Sequence, residues 1–129
     1  DALLSRGLGD VYKRQAKESF MISEIIREKI IRFLGEELPH ETFVQLQKIE
    51  DKENIINIDA EIIVARESQK GIVVGKNGAK LKKIGEKARI DLEKILNKKV
   101  FLKTWVKTKK NWNNDSDFIS SLGIGSLYD

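Results

Sequence analysis

Between Ile22 and Val106 the apolar residues change period three times, and this alternation limits the fold more than any other feature of the chain. Ile22, Ile26, Ile30, Phe33 and Leu34 follow at steps of four, four, three and one, lining one side of a helix that begins near Ser19. Ile56, Ile58, Ala60, Ile62 and Val64 then recur at every second position, with Asn57, Asp59 and Glu61 between them, as in a half-buried strand with one polar face. Leu81, Ile84, Ala88, Leu92 and Ile95 return to steps of three and four, and Val100, Leu102, Thr104 and Val106 to steps of two. A segment patterned for one period cannot bury its apolar side with the other, so helices and strands must alternate along the chain.

The remaining segments complete the order. Gly35 and Pro39 stop the first helix, and His40 follows in the same turn, where a loop role is expected. Thr42 to Ile49 is β-branched and aromatic enough for a strand, and the polar turn Asp51–Asn54 makes a hairpin with the next. Gln69 to Val74 reads as one or two helical turns ending at Gly75, and Asn97 as the stop of the long helix. The result is α-β-β-α-α-β, an α+β chain with one small sheet covered on one face by helices. Residues 1–15 show no sustained period and are expected to be a non-native leader outside the fold. Residues 16–110 form the domain, and 111–129 a tail in which Ser116–Leu122 is expected as a short helix folding Trp112, Phe118, Ile119 and Leu122 back on the domain.

Composition bounds the function. With 129 residues the chain is one domain with tails. It has no cysteine, which excludes disulfides and thiolate metal sites. The longest apolar run, Ile62–Ala65, is far below the roughly 20 residues of a spanning helix. No secretory leader is read at its start. Charge is divided: residues 16–67 hold 7 Lys/Arg against 12 Asp/Glu, whereas residues 76–110 hold 13 against 3. That basic third suits a phosphate backbone or an anionic membrane surface, or is simply a solvated lysine-rich helix face.

The segment Gly75-Lys76-Asn77-Gly78 sits at the start of the basic region, between the aliphatic Ile72-Val73-Val74 and the long helix. A GxxG pair alone means little, and a plain interhelical turn would also use glycines. Its context points to an anion. Glycines let a backbone approach a phosphate closely, and the following helix aims unpaired N–H groups and its positive end at the same place. Lys76 adds a charge and Asn77 a hydrogen-bond donor, while Lys70, Gly71, Lys80 and Lys83 flank the loop. Bases of a clamped strand would lie across Ile72, Val74 and the strand Glu61–Arg66. Trp105 is able to stack on a base, although its place in an alternating strand favours packing.

Other chemistries are excluded. A nucleotide P-loop needs GxxxxGK[ST]; Gly71 lies one position short of that spacing and Asn77 stands where the hydroxyl belongs. Asp59 and Glu61 share a strand face better explained by solvation than by acid–base pairing. No catalytic residue, metal site or cofactor is expected.

The stretch Ser68–Gly85, together with Glu24–Lys29 and Leu38-Pro39-His40 upstream and Lys99–Lys107 and Ser121-Leu122-Gly123 downstream, resembles the C-terminal KH domain of Era-family GTPases. The resemblance covers about residues 19–123. It implies the type II KH arrangement, a three-stranded mixed sheet with the GxxG loop between two helices. It also implies binding of single-stranded RNA at the 3′ region of small-subunit ribosomal RNA during ribosome biogenesis, with Gly75, Lys76, Asn77 and Gly78 as the clamping loop. The partners it implies are that RNA and the small ribosomal subunit; a monomer is expected. The location it implies is cytoplasmic, with peripheral contact at the inner membrane as a further option. Era-family proteins also carry a GTP-binding domain that these residues lack, so no GTP turnover is expected. The tail departs from the family at Ile124-Gly125-Ser126, where an aromatic is usual. The competing reading is a basic protein-interaction or peripheral membrane-surface domain without sequence-specific RNA binding.

Overall fold

The computed structural model describes the backbone of residues 2–110 and the side chains of residues 16–110. The tail expected to fold back through Ser116–Leu122, and the matching block Ser121-Leu122-Gly123, lie outside the described residues. Six main elements follow in the expected order: α1 (Ala2–Leu34), β1 (Phe43–Asp51), β2 (Ile55–Val64), α2 (Glu67–Val74), α3 (Ala79–Leu96) and β3 (Lys99–Thr108). Helix α1 starts well before Ser19, because apolar periodicity reports a buried face and a helix can continue beyond it.

The sheet order is β1-β2-β3, with β1 antiparallel and β3 parallel to β2. A parallel neighbour needs a crossover, and α2 and α3 supply it on one face. On that face Ile58, Ala60 and Ile62 are buried in one cluster with Ile22, Ile26 and Ile30 of α1 and Ile84, Ala88 and Leu92 of α3. Ile95, counted above on the core face of α3, is 54% exposed; Leu96 packs against the core instead. The packed row continues at steps of four, Ile84, Ala88, Leu92 and Leu96, which leaves Ile95 beside it, and Asn97 ends the helix in the left-handed conformation (φ 53°).

The far face is less solvated than the alternation predicts. Glu61 is only 8% exposed. Its Oε2 accepts the Trp105 indole N–H (2.8 Å) and its Oε1 a weaker bond from Gln47 Nε2 (3.4 Å). Gln47 sits at a register shift between Leu46 and Lys48 in β1. Trp105 therefore packs over its sheet neighbour, as its place in the strand suggests.

One charge is buried between helices. Lys29 of α1 is 4% exposed and pairs with Asp91 of α3 and with Glu28. The hydrogen bond to Asp91, then that to Glu28, raises the Lys29 ammonium above its ordinary range. The same bond lowers the Asp91 carboxyl.

Candidate nucleic-acid interface

The loop between α2 and α3 is built from backbone conformations that side chains resist. Gln69 Oε1 fastens the start of α2 by accepting the backbone N–H of Ala65 (3.0 Å) and Arg66 (3.1 Å). Gly75 ends α2 at φ 76°, ψ 178°, a region essentially reserved for glycine, and its N–H donates to the Gly71 carbonyl (2.9 Å). Asn77 (φ 56°) and Gly78 (φ 76°) are left-handed. The Gly78 N–H closes the turn on the Gly75 carbonyl (3.2 Å).

The two glycines differ in what they require. A Cβ at Gly75 would lie 2.6 Å from Cγ and 2.7 Å from Cβ of Lys80, whereas one at Gly78 would meet nothing within 4 Å. Gly75 is needed for conformation and clearance, Gly78 for conformation alone.

The loop delivers the chain into α3 with no side-chain cap and no acidic residue in the first turn. The Ala79 N–H is taken by the Lys76 carbonyl, and the positive end of the helix lies beside the exposed Lys76 and Asn77 with no acidic side chain in its first turn to offset it. Next to the loop lies an open furrow of about 360 Å³. Gly78, Lys82, Gly85 and Arg89, at steps of four, three and four, form its helical wall with Leu81 and Glu86. Leu102 and Thr104 of β3 form the opposite wall. A Cβ at Gly85 would stand 3.7 Å from Thr104 Oγ1, so a longer side chain there would fill the furrow.

The expected site residues divide accordingly. Gly75, Lys76, Asn77 and Gly78 form one loop, exposed at Lys76 and Asn77 and half-buried at the two glycines, with Lys70, Gly71, Ile72 and Val74 on the preceding helix. Ile72 is exposed and Val74 half-buried. Lys80 and Lys83 do not line the furrow. Lys80 Nζ donates to the Phe33 carbonyl at the end of α1 (3.2 Å), and Lys83 Nζ lies 5.1 Å from the Phe33 ring centre. The aliphatic strand expected to carry bases is corrected: Glu61–Ala65 is buried, β2 being the central strand, and β3 presents the surface beside the loop. The sequence reading missed Lys82, Gly85 and Arg89. A glycine inside a helix costs about 1 kcal/mol against alanine, which was the available signal at Gly85. Among the described residues no group of three or more His, Asp or Glu is placed to hold a metal ion.

A loop of this geometry, set between two helices of an α-β-β-α-α-β domain with a mixed sheet, is the type II KH arrangement, and the chain belongs to the KH domain family, whose model matches residues 37–113. Similar proteins include Era GTPases. GTPase Era of Thermoanaerobacter sp. (strain X514) is 47% identical over 116 residues, covering 88% of this chain and 38% of the relative. GTPase Era of Coxiella burnetii (strain Dugway 5J108-111) is 49% identical over 107 residues, 83% of this chain and 36% of the relative. This chain therefore spans well under half the length of these relatives. Among solved structures, Era in complex with MgGDPNP and nucleotides 1506–1542 of 16S ribosomal RNA superposes with a TM-score of 0.75 at 37% identity, over 81% of this chain and 36% of that one. Aquifex aeolicus Era bound to GDP.AlF4 gives the same figures.

Proposed function

We propose that this chain is the RNA-binding part of an Era-like GTPase and that it clamps single-stranded RNA from the 3′ region of small-subunit ribosomal RNA at Gly75–Gly78 during assembly of that subunit. The observation that carries the reading is the loop: positive φ at Gly75, Asn77 and Gly78 opens a helix start with no side-chain cap and no acid in its first turn, beside an open furrow of about 360 Å³. The RNA-bound neighbour supports it. Backbone phosphate would sit over the loop and the start of α3, near Lys76, with bases in the furrow between α3 and β3. Holding RNA needs no turnover, so GTP hydrolysis is assigned to the remainder of a full-length protein. The proposed setting is the cytoplasm, with this domain acting as a monomer.

The test is fluorescence anisotropy of a labelled single-stranded RNA from within the 16S segment of that neighbour, titrated across a salt series against scrambled and duplex RNA. Saturable binding that prefers the single strand, with affinity falling as salt rises, is expected. Lys76→Asp combined with Asn77→Asp should abolish it while the melting temperature stays near that of the parent. Unchanged affinity in that double variant would sink the reading, and tight binding to anionic vesicles without RNA binding would favour the membrane-surface alternative.

A further inference from the structure

Strand β3 has two working sides. Leu102 and Thr104 face inward and form a wall of the furrow. The alternate residues Lys99, Phe101, Lys103, Trp105 and Lys107 occupy its other face, lysine and aromatic in strict turn. Positions two apart on a strand are about 6.6–6.8 Å apart, so three cations and two rings form one straight stripe. Phe101 is 58% exposed, so its ring is open to solvent between two lysines of the stripe. Lys99, Lys103 and Lys107 are exposed, and none is in an ion pair among the described residues. Lys103 Nζ rests 5.9 Å from the Trp105 ring centre, and Glu61 holds the indole N–H, which fixes that ring in place.

The acidic neighbours are largely engaged elsewhere. Glu61 is bonded to Trp105 and Gln47, and Glu50 accepts from Lys48 and Lys52. Asp59 lies beside Lys103 in the sheet register. The stripe is therefore a net cationic surface with a flat exposed ring between Lys99 and Lys103, the combination that takes backbone phosphates and stacks bases without reading their sequence.

Because furrow wall and stripe are opposite sides of one edge strand, we infer that RNA leaving the furrow continues round the β3 edge, where Phe101 stacks a flanking base and Lys99, Lys103 and Lys107 meet its phosphates. The inference rests on the loop reading above and deepens it: the ligand is a single strand longer than the clamped segment.

The test compares two nested RNAs from the same 16S segment, one of about four nucleotides, the length a GxxG loop clamps, and one extended by several nucleotides at either end. Phe101→Ala should weaken the extended RNA at least about fivefold, the low end of one base stack, and leave the short RNA unchanged. Replacing Lys99, Lys103 and Lys107 by glutamine should lower the salt slope for the extended RNA by roughly 0.7 for each phosphate that is no longer neutralised. Circular dichroism of both variants should match the parent, since all four side chains are exposed. Equal affinity of Phe101→Ala and parent for the extended RNA overturns the inference, as does an equal loss on both lengths. Failure of the parent to bind the short RNA counts against the loop reading, and the Phe101 comparison on the extended RNA still decides the stripe.

Discussion

On the inner face of the sheet Ile58, Ala60 and Ile62 are fully buried among α1 and α3, while beyond α2 the Gly75–Gly78 turn exposes Lys76 and Asn77 and holds three residues at positive φ. The first region is stable because apolar area leaves water and side chains fill the space between layers. The second is held by its ends: the Gly75 N–H on the Gly71 carbonyl, Lys80 beneath Gly75, and Ala79 already in α3. A surface that grips a phosphate backbone has to leave N–H groups unpaired, which a packed layer does not allow. The two regions adjoin along α3, whose inward residues serve the core and whose Gly78–Arg89 flank serves the furrow.

Removing bulk from the packed region gives the largest expected effect. Ile84→Ala should destabilise by roughly 2–5 kcal/mol in urea denaturation, because a fully buried side chain leaves a cavity. A loss below about 0.5 kcal/mol would remove α3 from the packed side of the comparison. In the open region conformation is expected to dominate. Gly75→Ala should cost about 1–3 kcal/mol for the backbone region alone, and more because it meets the root of Lys80, which cannot swing aside. Gly78→Ala should cost about 1–2 kcal/mol, the left-handed penalty without a clash. Equal losses would mean that the Lys80 contact relaxes freely.

The Lys29–Asp91 pair tests how α1 and α3 are joined. Asp91 has a folded-state pKa below its ordinary value, so its contribution is fully present above about pH 4 and is lost as pH falls through the folded value. Lys29 has a raised pKa, so its share persists until pH rises above the usual lysine range. Melting curves from about pH 6 to about pH 2 should therefore fall less steeply for Asp91→Asn than for the parent. Parallel curves would show that the pair contributes nothing to acid sensitivity. The smallest effect is expected at Ile95→Ala, within about 0.5 kcal/mol, because that side chain is more than half exposed. A larger loss there than at Leu96→Ala would restore Ile95 to the core.

Much of this molecule can be read without coordinates. The glycine loop, the order of elements and the buried rows Ile22–Ile26–Ile30 and Ile84–Ala88–Leu92 follow from period and turn chemistry alone. Other features could not be read. Lys29 looks like any helical lysine until α3 brings Asp91 to it. Lys80 and Lys83 look like loop-flanking cations until Phe33 arrives from the end of α1 and draws both toward it. Glu61 reads as a solvated carboxylate until a register shift in β1 carries Gln47 over it and the parallel pairing sets Trp105 beside it.

The apolar side of the helices and strands, Ile95 apart, and the glycine turn are legible in the chain because both depend on neighbours within a few residues. That β2 is central and β3 an edge, and so which strand stands beside the loop and which lysines face the furrow, emerges only on folding. Those outcomes depend on a parallel pairing between strands more than forty positions apart, as at Glu61 and Trp105, and no local pattern encodes such a pairing.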